Sequence, residues 1–113
     1  MKSLRRIFLI LSLLLPATVF VSSASLAETK LEATIFSYDG KDFVRAQTTL
    51  MEDGQAAAGT KLDRDSAAYK ALVEKRSYTG PATILGRDYQ ANYAPLIGED
   101  GQLTGALFVG VPK

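Results

Sequence analysis

The chain contains no cysteine and no histidine. Without thiols there is neither a disulfide framework nor a lipid-modified cysteine to hold the chain at a membrane. Lacking both residue types, it also has no usual transition-metal ligand set and no Ser-His or Cys-His nucleophile pair. An excess of one charge is missing too, since 13 Lys and Arg face 12 Asp and Glu. No basic stretch is interleaved with aromatics, which argues against nucleic acid as a partner. Asp63, Asp65 and Asp88 remain as acid or base candidates. Two of these read as helix caps and no nucleophile stands near them, so the inventory is that of a non-enzyme without a cofactor.

The first 27 residues read as separate from the rest. Lys2, Arg5 and Arg6 precede an uncharged, Leu-rich run over 7–21, and small residues follow, ending in Ser25-Leu26-Ala27. A basic start, an apolar middle and small side chains before the cut describe a secretory signal cleaved after Ala27, which delivers 28–113 to the periplasm. The alternative is an uncleaved anchor in the inner membrane, because 7–27 carries no charge over 21 residues and that length spans a bilayer. Pro16, Thr18, Ser22, Ser23 and Ser25 weigh against it. Removing the three basic residues leaves 10 positive against 12 negative side chains, a net charge of −2. These 86 residues must stand on a small core alone, near the lower limit for a domain without staples.

Within 28–113, the β-branched and aromatic run EATIFSY (32–38), a polar turn at 39–42 and FVRAQTTL (43–50) predict a hairpin. Residues 51–60, MEDGQAAAGT, show no periodicity and read as a loop. Asp63 or Asp65 then caps a helix through about Lys75, in which Ala68, Tyr69, Leu72 and Val73 share a stripe. Gly80-Pro81 breaks the chain, and 82–85 form a third strand. Two long strands fill 86–111 around the turn Gly98-Glu99-Asp100-Gly101, and Pro112 ends the last. The pattern is α+β, one main helix on one face of a five-stranded antiparallel sheet. It becomes PAS-like if the first hairpin lies beside the last strand. Gly105 and Gly110 inside that strand mark a bulge or a close backbone approach.

Counting by twos from Arg87 puts Arg87, Tyr89, Ala91, Tyr93, Pro95 and Ile97 on one strand face. A guanidinium on such an apolar face needs an anion beside it, from the protein or from a ligand. The alternative places Arg87 at the strand end, with its stem packed and its head in water or on Asp88 or Asp65.

Four stretches occur in a recognisable order: DFVRAQTTL (42–50) followed by EDG (52–54), GTKLDRDSAAYKAL (59–72), YTGPATILGRDYQANYAPL (78–96) and DGQLTGALFVGV (100–111). In these the chain resembles the extracytoplasmic single Cache sensor domains of bacterial methyl-accepting chemotaxis proteins, especially the fused subtype that joins Cache types two and three. The resemblance implies a PAS-like fold that holds a small organic acid or amino acid between its sheet and the covering helix and loops. The matching positions for such a site are Tyr69, Arg87, Tyr89 and Tyr93, with Arg45 on the second strand. A guanidinium would fork onto a carboxylate and the phenols would orient it.

Family receptors carry a long helix before the sheet, a membrane helix after it and a signalling module; here a signal peptide nearly abuts the first strand and the chain stops two residues after the last. The expected function is therefore a periplasmic sensory module for a small anionic metabolite, acting with a separate membrane chemoreceptor or sensor kinase. The face left bare by the missing helix would be covered by a second copy or another partner. The alternative function is a dimerisation or partner-binding domain without a ligand.

Overall fold

In the computed structural model, which describes residues 30–113, Thr34 and Phe36 are buried while Ala33, Ile35 and Ser37 are exposed. That alternation is what a strand covered on one side requires. The export signal, its cleavage after Ala27 and the alternative anchor lie outside the described residues. Strand β1 (Glu32–Tyr38) returns as β2 (Phe43–Thr48). Between them the Asp39 carboxylate accepts from the amides of Lys41 and Asp42 at 2.9 and 2.7 Å, so the turn is closed by its own side chain.

Residues 51–60 do not form a plain loop. Strands β3 (Met51–Glu52) and β4 (Gln55–Ala56) pair as a short ribbon. Asp53 and Gly54 have φ of 53° and 80°, the two left-handed positions of a type I′ hairpin turn. Turn chemistry overrides the absence of an alternating pattern.

The helix α1 (Ala67–Val73) is shorter than its stripe suggests, and its cap is neither Asp63 nor Asp65. Ser66 takes that place, its Oγ accepting from the Tyr69 amide at 3.1 Å. Asp63 closes the preceding turn instead, accepting from the Asp65 amide at 2.9 Å. At the other end Lys75 turns left-handed at φ 63°. The amides of Lys75 and Arg76 return to the carbonyls of Leu72 and Ala71 at 2.8 and 3.0 Å, which terminates the helix as a Schellman motif.

Strand β5 (Tyr78–Ile84) begins before the expected position and runs straight through Gly80-Pro81. It can do so because β5 is a sheet edge, in the order β2-β1-β7-β6-β5, and an edge position tolerates a residue without an N–H. Leu85-Gly86 is a second left-handed pair, leading into β6 (Arg87–Ile97), which pairs with β7 (Leu103–Pro112). All neighbours are antiparallel and β1 lies beside β7. The fold is thus α+β with the PAS-like strand order. Both glycines of β7 mark close approaches: a Cβ on Gly105 would strike the Phe36 carbonyl, and one on Gly110 would lie 2.5 Å from the Phe108 ring.

One face of the sheet carries the core, where Phe36, Phe43, Tyr89, Tyr93 and Phe108 pack with Ala68 and Leu72 of the helix. The opposite face exposes Ile35, Leu107 and Val109 at 41 to 47 %. Ile35 stands opposite Leu107, and Leu107 opposite Ala94, so these apolar side chains adjoin. Among the described residues no helix is long and apolar enough to cross a membrane.

Candidate functional site

Register carries a row of side chains across the covered face. Arg45 on β2 is the cross-strand partner of Phe36 on β1, and Phe108 on β7 is that of Tyr93 on β6, which faces Tyr78 on β5. The rings follow one another closely: Phe36 and Tyr93 at 6.3 Å, Tyr93 and Phe108 at 5.0 Å, Tyr78 and Tyr93 at 6.3 Å. Arg45, Tyr93 and Tyr78 of this row line a cavity of about 440 Å³. Its walls come from the segment Lys61 to Ala68, which enters the helix, and from Pro81 to Leu85 at the end of β5. A small helix seated on a wide sheet leaves this space because Ala67 and Ala68 present only methyl groups toward it. The volume lies at the lower end of the range for small-molecule sites.

Arg45 gives the cavity its chemistry. It is only 3 % exposed, yet among the described residues it forms no ion pair. Its hydrogen bonds both leave from Nη1, to the Thr60 hydroxyl at 3.0 Å and the Lys61 carbonyl at 3.1 Å. Its Nε is buried without a partner. Burial pulls the guanidinium below its ordinary pKa, while Tyr93 and Glu52 pull it back. An arginine nevertheless stays charged at any physiological pH. Tyr93 is the counterpart: burial pushes its phenol up to about 12, against the pull of Arg45, so its hydroxyl remains a hydrogen-bond donor.

A clasp holds the wall segment that begins at Lys61 to the β1–β2 turn. Arg64 donates to both oxygens of Asp42, from Nε at 2.8 Å and Nη2 at 2.9 Å, and Lys61 Nζ adds a 3.4 Å ion pair. Arg64 first, and Lys61 after it, hold the Asp42 carboxyl at about 2, although burial opposes them.

Of the five residues expected at the site, the structure brings Arg45 and Tyr93 to the cavity. Arg87 is exposed at the first position of β6, opposite Ile84, outside the cavity walls. Its parity with Tyr89 and Tyr93 is as expected, but the strand end carries it past the cover. Tyr89 lies in the core, edge-on to Phe108 at 6.2 Å, and Tyr69 packs edge-on to Phe43 and donates to the Lys41 carbonyl at 2.5 Å. Neither lines the cavity. Sequence reasoning missed Tyr78 in the wall because Gly80-Pro81 hid the start of β5, and passed over Thr83 and Leu85, which it placed on the third strand without a role.

A family model described as Cache 3/Cache 2 fusion domain matches residues 25–113. No curated protein and no solved structure matches the chain.

Proposed function

The chain belongs to the Cache 3/Cache 2 fusion family, whose members are extracytoplasmic sensory modules that bind small molecules, and we propose that its cavity captures a small anionic metabolite on Arg45. In this reading the protein is exported by cleavage after Ala27, and the loaded module is read by a separate membrane receptor. The observation that carries the reading is Arg45 itself, a cation nine-tenths buried in a cavity wall with Nε unpaired. A charge in such a place costs several kcal/mol unless an anion joins it. The family's sensory character points the same way, toward capture without turnover.

Melting of the purified protein against a panel of organic acids, amino acids and neutral isosteres tests the proposal. An anion at a hundred times its Kd raises stability by about 2.7 kcal/mol, and neutral isosteres leave it level. A panel flat for every anion contradicts it.

A second reading is favoured by the apolar patch of Ile35, Leu107 and Val109 on the bare sheet face. There the protein pairs through that face, as a second copy or with another partner. Concentration-dependent mass in sedimentation, abolished by Val109→Lys with melting unchanged, supports this reading. A monomer at high concentration removes it.

A further inference from the structure

The polar groups around the cavity are unevenly committed. Lys61 points its ammonium at Asp42, 3.4 Å away. The Asp63 carboxylate takes the Asp65 amide at 2.9 Å. Ser66 Oγ donates to the Asp63 carbonyl at 2.7 Å and accepts from the Tyr69 amide at 3.1 Å. Tyr78 donates to the Pro81 carbonyl at 2.6 Å, and Thr83 to Asp88 at 2.7 Å. The protein's own bonds therefore engage each of these groups, Asp63 through one oxygen and Lys61 through one ion pair. What an incoming molecule meets beside them is the edge of the Arg45 guanidinium, whose Nε is itself buried, the neutral Tyr93 phenol, and hydrocarbon from Leu62, Ala68, Ala82, Ile84 and Leu85.

We infer that the cavity selects a carboxylate of single charge with an apolar body, such as a short branched or aryl-substituted alkanoate, and rejects both amino acids and dicarboxylates. This rests on the proposed capture of an anion by Arg45 and deepens it. An α-ammonium needs a buried carboxylate or several carbonyls to replace its water. The one acid in the wall, Asp63, is solvent-exposed and already accepts a backbone amide. A second carboxylate needs a second free cation, and Lys61 is both tied to Asp42 and 59 % exposed. An alkyl or aryl body displaces water from methyl and ring surfaces that nothing else covers. The guanidinium donates to the carboxylate from its uncommitted edge, beyond the Nη1 bonds to Thr60 and Lys61, while Tyr93 donates to it as well.

Matched compounds test this by calorimetry on the purified protein: 4-methylpentanoate against leucine and 4-methylpentanol, 3-phenylpropanoate against phenylalanine, and glutarate. The expected result is that each monoacid binds at least tenfold tighter than its amino acid, its alcohol or the diacid. Arg45→Met should abolish that binding. Ala82→Leu, which adds bulk to the hydrocarbon of the wall, should weaken 3-phenylpropanoate at least fivefold. If leucine or glutarate binds as tightly as the monoacid and still depends on Arg45, the selectivity is overturned while anion capture stands. If the alcohol matches the acid, or if nothing in the series binds, anion capture itself falls.

Discussion

The guanidinium carbon of Arg45 lies 5.3 Å from the centre of the Phe36 ring, its cross-strand partner on β1. A cation over an aromatic face recovers roughly 2 kcal/mol at most when desolvated, less than the several kcal/mol that burying an unpaired charge costs. The ring and the bonds from Nη1 to Thr60 and Lys61 together offset part of that cost.

Replacing Arg45 by Met should separate fold from function. An unbranched apolar side chain of similar reach removes the buried charge, so chemical denaturation should show unchanged stability or a gain of about 1 kcal/mol. The thermal upshift with anions should vanish. A loss of several kcal/mol in the unliganded variant would instead make the bonds to Thr60 and Lys61 the reason for the residue.

Tyr93→Phe keeps the ring that packs on Phe108 and Phe36 and removes only the hydroxyl. Hydrogen bonds to a charged partner contribute about 1.5–3 kcal/mol, so carboxylate affinity should fall at least tenfold with little change in melting. Alkali offers a second check. The phenol's pKa is raised in the fold to about 12 from an ordinary 10.0, so its stabilisation is fully present below pH 10 and is lost as pH rises toward 12. Ultraviolet titration of the native protein should show one tyrosine ionising last, and that step should be missing in Tyr93→Phe.

Asp42 should set the acid limit. Its carboxyl is held at about 2 rather than 3.8, chiefly by Arg64, so the clasp contributes fully above pH 3.8 and is lost as pH falls through 2. Asp39, lowered by the amides of Asp42 and Lys41, acts in the same direction. Asp42→Asn should lower melting at neutral pH and flatten the dependence between pH 4 and 2. An unchanged acid profile would show that the clasp does not govern it.

Gly105→Ala should be among the most damaging small substitutions, because the new methyl meets the Phe36 backbone carbonyl rather than a movable side chain. Overpacking of this kind costs about 1–3 kcal/mol, readable as a lower urea midpoint with the slope preserved. Equal stability would mean that β1 and β7 separate at no cost.

Much of this architecture was legible in the sequence because period-two patterning governs long half-buried strands: 32–38, 43–48 and both strands of 86–111 follow it. The shorter elements were not. The β3–β4 ribbon has two-residue strands too short to alternate, and only Asp53-Gly54 signals it. Gly80-Pro81 reads as a break unless β5 is known to be an edge, which is a property of the assembled sheet. The site suffered the same limit. Strand parity placed Arg87 on the correct face, but parity says nothing about where the cover ends. Arg45, in the interior of β2 and set opposite Phe36, reaches the cavity, whose walls do not include Arg87.

The most direct measurement is the nitrogen-15 NMR signal of the Arg45 Nε–H, assigned by its loss in Arg45→Met, during titration with 3-phenylpropanoate. This resonance, from a buried nitrogen of the same guanidinium, should shift as an anion joins the side chain, while the Arg87 signal stays still. A titration in which Arg87 moves and Arg45 does not, or in which neither responds, would contradict it.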